Sequence, residues 1–337
     1  MNISIIAFTD RGRELSRRMA AHLPEDIVKL YAKAEGFLPY DSLRDFARQA
    51  MAEADAVIFV GATGIAVRAI APFVRRKDMD PAVLVVDENG RFVISLLSGH
   101  IGGANRLAQR LAEQLHAIPV VTTATDVQGL FAADQWAAEH RCTVRNLRAI
   151  QQVSGALLRG ESVGLQSDFP ITGTLPEGVV LDTRENGIGI SIYFRETDPF
   201  PHTLWLVPRI VHVGVGCRRN TPPEKLVDWA QKQLQSLRID PRAVASVASI
   251  DLKQDEPAVH RLAQAWQAPA VFYTAQQLKQ VQGNFPPSDF VRRTTGTDNV
   301  CQRAAAKAAG NGTCLLEKTA QDGMTISIYC EDWRTAF

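Results

Sequence analysis

The chain has 337 residues, 46% of them hydrophobic and 22% charged, with a formal net charge of +1. Such a chain buries a large core rather than staying disordered, and its near-zero charge excludes a global field drawing it to nucleic acid or a membrane surface. Its cysteines, Cys142, Cys217, Cys301, Cys314 and Cys330, are scattered and lack any C-x-x-C pair, which argues against a disulfide framework or structural zinc site and for a reducing, cytoplasmic setting.

The first eight residues have no basic n-region, and their apolar run is too short for a signal sequence or a membrane span, so they read as a first strand. Residues 3–8 predict that strand, Thr9-Asp10 a cap, and residues 13–22 a helix with Leu15, Met19 and Leu23 at helical spacing. Asp41-Ser42 caps a second helix running to Glu53, and residues 56–60 form a strand ending in Gly61. This alternation predicts a parallel α/β sheet. Gly61-Ala62-Thr63-Gly64-Ile65-Ala66-Val67-Arg68 lies where strand meets helix, and its amides can hold a carboxylate or phosphate. It is neither G-x-G-x-x-G nor a P-loop, and a plain tight turn is the other reading.

Residues 83–86 predict a further strand, turned by Asp87-Glu88-Asn89-Gly90 into an antiparallel neighbour at 92–95. That pair delivers the chain to Ser98-Gly99-His100-Ile101-Gly102-Gly103-Ala104-Asn105, a small-residue loop with one imidazole and one hydroxyl. Leu107, Leu111 and Leu115 mark the helix that follows, at whose start the amides of Gly99, Gly102 and Gly103 are candidate anion donors. A strand from Pro119 ends in Thr122-Thr123-Ala124-Thr125-Asp126, with hydroxyls and a carboxylate where open α/β sheets bind ligands.

Residues 136–150 read as one weakly patterned helix, and 155–207 as a small, more β-rich middle domain in which Pro199, Pro201 and Pro208 bracket a linker. A strand at 210–215 then runs into Gly214-Val215-Gly216-Cys217-Arg218-Arg219, and Thr221-Pro222-Pro223-Glu224 starts a helix. Strands at 245–250 and 270–273, helices at 255–266 and 298–309, and closing strands at 313–316 and 324–329 complete a second α/β alternation. The expected architecture is thus an N-terminal α/β domain (1–135) and a C-terminal one (208–337), both with mainly parallel sheets, joined by a small middle α+β domain (136–207).

Val60 to Arg68, Ser95 to Asn105 and Val120 to Asp126, with Gly214 to Arg219 and Ile250-Asp251-Leu252-Lys253-Gln254-Asp255-Glu256, resemble the CbiG family, the cobalt-precorrin-5A hydrolases of anaerobic cobalamin synthesis. The resemblance covers nearly the whole chain and is weakest from Trp136 to Val207. It implies opening of a δ-lactone on a ring-contracted, cobalt-bearing tetrapyrrole and loss of the extruded carbon with its methyl as acetaldehyde, giving cobalt-precorrin-5B. Cobalt arrives with the substrate, so the resemblance implies no protein-bound metal or organic cofactor. Neighbouring cobalamin-pathway methyltransferases and a second copy of the chain are the expected partners, with no nucleic acid and no membrane.

Lactone opening needs an activated water, donors for the oxyanion and proton management for the departing fragment. His100 is the expected general base, or an axial ligand to the substrate's cobalt; a histidine tying down its own loop is the bland alternative. Ser98 is a candidate catalytic or binding hydroxyl, although it lacks the G-x-S-x-G elbow. Substrate carboxylates call for arginines, with Arg68 and Arg218 the candidates; Arg75, Arg76, Lys77 and Arg219 read as solvated surface charge. Gly61, Thr63, Gly64, Gly99, Gly102, Gly103, Asn105, Asp126 and Gly216 complete the expected binding set. Lys253 and Glu256 either face a cleft or form an ion pair at a helix start. A non-catalytic cobalt-precorrin carrier and a nucleotide- or sugar-phosphate-binding protein using Gly61 to Arg68 are the competing readings.

Overall fold

The computed structural model describes residues 1–76, 79–100, 102–123, 129–181, 187–195 and 197–337. It divides into two compact units, Met1–Gln135 and Trp136–Phe337.

The first unit runs β1 (Asn2–Ala7), α1 (Asp10–Ala21), β2 (Ile27–Tyr31), α2 (Leu43–Glu53), β3 (Ala56–Val60), α3 (Thr63–Ile70), β4 (Ala82–Val86), β5 (Phe92–Leu97), α4 (Ala104–Leu115) and β6 (Ile118–Val120). Thr9 and Ser42 cap α1 and α2, their side chains accepting from the amides of Gly12 at 3.2 Å and Asp45 at 3.1 Å. The strands form one sheet in the order β2-β1-β3-β4-β5-β6. β3 and β4 are buried along their whole length, which is why Ala56-Val57-Ile58-Phe59-Val60 and Ala82-Val83-Leu84-Val85-Val86 read as unbroken apolar runs. Alternate residues face opposite ways. Ile3, Ile5, Ile58 and Leu84 pack under α1 and α4, while Ile6, Val57, Phe59 and Val85 pack under α2 and α3.

Strand direction decides where the loops go. β1, β2, β3 and β4 run parallel, β5 turns back antiparallel to β4, and β6 runs parallel to β5. β2, which the sequence pattern had not revealed, lies at the sheet edge with no fully buried residue, so it carries no strong apolar signal.

The second unit holds two five-stranded sheets. Helix α5 (Ala133–Glu139), whose first three residues still belong to the first unit, leads into β7 (Cys142–Val144), α6 (Leu147–Leu158), β8 (Val163–Ser167), β9 (Ile171–Thr172), β10 (Val179–Leu181), β11 (Ile188–Ile192) and β12 (His202–Pro208). The single helix expected over 136–150 is instead two helices flanking β7, with Arg141 at a left-handed φ of 57° where the first helix gives way. The sheet order is β10-β8-β11-β12-β7, with only β7 antiparallel. So the middle segment, expected as α+β, is largely a parallel sheet. Among the described residues α6 is the one helix on its connections, so little of the strand-helix alternation that normally reveals parallel pairing is present. The prolines expected to bracket a linker flank β12, a strand inside this sheet.

The remaining elements are β13 (Val211–Cys217), α7 (Pro223–Ser236), β14 (Val244–Ile250), α8 (Pro257–Ala265), β15 (Ala270–Tyr273), α9 (Ala275–Lys279), α10 (Asp289–Thr295), α11 (Cys301–Ala308), β16 (Thr313–Gln321), β17 (Met324–Cys330) and β18 (Thr335–Ala336). The second sheet runs β15-β14-β13-β17-β16, its first three strands parallel. Leu226, Trp229 and Leu234 of α7 and Val259 and Leu262 of α8 pack on one face over Val213, Val215 and Val247. Helix α11 lies against β13 at Gly214, where a Cβ would stand 1.8 Å from the Cys301 carbonyl oxygen, so only glycine permits the approach. Among the described residues, no helix is long and apolar enough to cross a membrane.

Candidate functional site

The reversal at β5 separates the two glycine loops of the first unit. Val93 pairs with Val86 at the carboxyl end of β4, and Leu97 pairs with Val83 near its start. The chain therefore leaves β5 at the amino-terminal edge of the central strands, whereas Gly61 to Arg68 leaves their carboxyl-terminal edge. At about 3.3 Å per residue, a five-residue strand sets the loops roughly 16 Å apart. Gly61 donates its amide to the Val86 carbonyl at 2.9 Å, and Arg68 donates to the Gly64 carbonyl of its own helix at 3.3 Å while exposed. Gly61, Thr63, Gly64 and Arg68 are thus not brought to His100.

The His100 loop is wound onto the start of α4. Ala104 and Asn105 donate their amides to the carbonyls of Ser98 and Gly99 at 3.1 and 2.9 Å, and Gly103 donates to the His100 carbonyl at 2.9 Å. Gly103 takes a left-handed φ of 82° as the N-cap of α4. A Cβ on Gly102 would fall 2.4 Å from the Ser98 Cβ and 2.9 Å from its carbonyl oxygen, which ties this loop's compactness to glycine. The Gly103 amide, an expected anion donor, is consumed inside the loop; among the described residues the amides of Gly99 and Gly102 are left without an acceptor. Ser98 holds φ at 58°, a left-handed conformation costly for a residue with a Cβ, and its buried Oγ bonds to nothing among the described residues.

Asn105 is buried at 3% exposure and acts as a clamp. Its Oδ1 accepts from Ser95 Oγ at 2.7 Å, and its Nδ2 donates to Thr123 Oγ1 at 3.0 Å. It joins β5, the loop and the segment after β6. Asp126 lies outside the described residues.

His100 has a partner that the sequence did not disclose. Its Nδ1 stands 3.3 Å from Oδ2 of Asp134, whose side chain is only 6% exposed, and the other Asp134 oxygen accepts the Gln135 amide at 3.1 Å. A carboxylate this close to Nδ1 favours the tautomer with its proton on that nitrogen. The sequence signal was weak: one aspartate at a helix start, more than thirty residues after the histidine, in a stretch read as a domain boundary.

In the second unit, Gly216, Cys217 and Arg218 at the end of β13 and Ile250 at the end of β14 line a cavity of about 1020 Å³. Open α/β sheets bind ligands at these strand ends. Arg218, Arg219 and Lys318, also in its wall, make no ion pair among the described residues. Lys253 Nζ sits 3.0 Å from Glu256 Oε2, so the expected ion pair at the start of α8 is present, and it faces this cavity. Glu256 is 6% exposed and makes no cap hydrogen bond to α8; its Oε1 is buried without a partner among the described residues. Burial pushes the Cys217 thiol up, with nearby Lys253 opposing, so its reactivity is low.

Two family models match the chain: "Cobalamin synthesis G N-terminal" over residues 45–126 and "Cobalamin synthesis G C-terminus" over residues 211–329. A curated relative from Salmonella typhimurium, named cobalt-precorrin-5A hydrolase, is 39% identical over 97% of this chain and 97% of its own length. The chain belongs to that family. A relative of the same name from Priestia megaterium is 26% identical over 96% of this chain and 94% of its own length. A solved cobalamin biosynthesis protein G homolog from Sulfolobus solfataricus covers 98% of this chain and 97% of its own, with 22% identity and a TM-score of 0.43. Both matched segments coincide with the units' two candidate regions: the first includes the His100 loop, and the second includes the cavity at Gly216 and Glu256.

Proposed function

We propose that the protein is a cobalt-precorrin-5A hydrolase of cobalamin synthesis, which opens the substrate's δ-lactone with water and releases acetaldehyde to give cobalt-precorrin-5B. The supporting observation is the His100–Asp134 pair, 3.3 Å apart, in a glycine loop with unsatisfied amides and an unsatisfied serine hydroxyl. His100 takes a proton from water at Nε2 while Asp134 steadies the imidazolium that forms. The water oxygen attacks the lactone carbonyl, and the negative charge growing on the acyl oxygen is met by the amides of Gly99 and Gly102 and by Ser98 Oγ. Collapse expels the ring oxygen, which returns as a hydroxyl with a proton from His100.

Ser98 acts here as a donor, since His100 stands beside Asp134 and Ser98 Oγ has no partner among the described residues. In the second unit, Arg218 and the backbone at Gly216 take substrate carboxylates, and the substrate brings its own cobalt. Bond cleavage between the extruded carbon and the macrocycle makes the overall reaction a C–C hydrolysis. Anaerobic incubation with cobalt-precorrin-5A tests the reading: the wild type releases acetaldehyde, and His100→Ala loses at least about 100-fold of that rate while still binding the macrocycle. Binding without acetaldehyde from either protein refutes the hydrolase and leaves a carrier.

A further inference from the structure

Lactone opening alone does not release acetaldehyde. It leaves the extruded carbon attached to the macrocycle and carrying a hydroxyl, and a second base must remove that hydroxyl proton before the C–C bond can break. The His100 imidazole, having returned its proton to the leaving oxygen, is matched to the first step. Among the described residues, the second unit holds a carboxylate that its fold leaves incomplete. Glu256 lies in the wall of the 1020 Å³ cavity with one oxygen on Lys253 at 3.0 Å and the other, Oε1, buried and unpaired. Native structures rarely leave a buried carboxylate oxygen without a donor, and a donor that the described residues do not supply comes from a water or a ligand at this wall. The unpaired Arg218, Arg219 and Lys318 in the same wall suit a polycarboxylate, and Ile250, Val300 and Met324 give it an apolar surface.

We propose that Glu256 is the base of the second step, accepting the proton of the newly exposed hydroxyl in this cavity. The inference rests on the hydrolase reading above. The hydroxyl proton passes to Glu256 Oε1, and the oxygen forms the carbonyl of acetaldehyde. The C–C bond breaks with its electron pair going to the macrocycle carbon, where the conjugated ring takes it up. Lys253 holds the other oxygen and so aims the carboxylate. No oxidant, reductant or co-reactant is required.

The test uses the full chain and cobalt-precorrin-5A under anaerobic conditions, following acetaldehyde and macrocycle mass together. Glu256→Gln is expected to lower acetaldehyde release by about 100-fold or more and to accumulate a macrocycle one water heavier than the substrate. His100→Ala, by contrast, leaves the substrate mass unchanged. If Glu256→Gln does not fold, Glu256→Asp carries the same readout, because it keeps the charge beside Lys253 but draws the oxygen back by one methylene. Acetaldehyde at the wild-type rate from the folded variant, or accumulation of unopened lactone, overturns the assignment to Glu256 while leaving the hydrolase standing. A wild type that releases no acetaldehyde brings down the hydrolase reading itself and this inference with it.

Discussion

Replacing Asp134 by asparagine tests whether the buried carboxylate works through His100. The substitution preserves size and can still accept the Gln135 amide, which Asp134 Oδ1 now takes at 3.1 Å. It removes the charge 3.3 Å from Nδ1 and places a side-chain amide there that can donate. The imidazole then favours the tautomer with its proton on Nε2, and the basic nitrogen is turned away from the water. An imidazolium and a carboxylate 3.3 Å apart attract by roughly 1–5 kcal/mol between the dielectrics of bulk water and a protein surface, of which about 2 kcal/mol is taken here. Losing about 2 kcal/mol from the transition state slows turnover roughly 30-fold. The assay is steady-state acetaldehyde release. kcat is expected to fall by that factor with KM unchanged within about threefold, because Asp134 is too buried to bind substrate. Asp134→Ala admits water as a neutral acceptor for the Nδ1 proton and is expected to be the milder of the two. A kcat within about twofold of wild type in Asp134→Asn refutes the coupling and makes the pair a loop tether.

Two further predictions concern the second unit's framework. Gly214→Ala drives a Cβ to 1.8 Å from the Cys301 carbonyl and 2.8 Å from the Ala305 amide, backbone atoms that move only if α11 lifts off β13. The expected cost is about 3 kcal/mol, seen as a fall of roughly 6–12 °C in Tm, and an unchanged Tm contradicts the packing described. His212 is buried, with Nδ1 2.8 Å from Ser246 Oγ and Nε2 2.7 Å from Glu331 Oε1, and Arg141 lies on the same Glu331. Burial is the largest influence and lowers its pKa below the ordinary 6.5, against the raising effect of Glu331. The unfolded chain therefore binds this proton more readily. The contribution is present above pH 6.5 and is lost as pH falls from there toward the folded value. His212→Gln, costing about 1 kcal/mol at neutral pH, is expected to show a shallower decline of Tm below pH 6.5 than the wild type. Parallel declines remove His212 as the titrating group.

What the sequence disclosed and what it withheld divide along the range of the interactions involved. Helix α2, its Ser42 cap, the strands at Ala56–Val60 and Ala270–Tyr273 and the leucine face of α4 are local patterns, and each emerges where its own residues place it. Parallel pairing in the middle sheet is not local: Gly189 meets Gly164 and His202 meets Ile188, and among the described residues no helix joins these strands to announce it. The site shows the same split. The loop at His100 was visible because glycines, a serine and an imidazole are adjacent, whereas its distance from Gly61 depends on one reversal of strand direction at β5. Asp134 was invisible because a carboxylate chosen for its reach to another loop leaves no periodicity behind. The spacing of Glu256 from Lys253 suits a residue facing a cleft and one half of an ordinary ion pair equally well. Only the unpaired second oxygen distinguishes it, and that depends on what the fold does not provide: a donor within reach of a buried carboxylate. Residues that complete their bonding within the chain, such as Asn105 between Ser95 and Thr123, are therefore assigned to architecture. Those left incomplete among the described residues, Ser98 and Glu256, are the ones proposed above to meet the substrate.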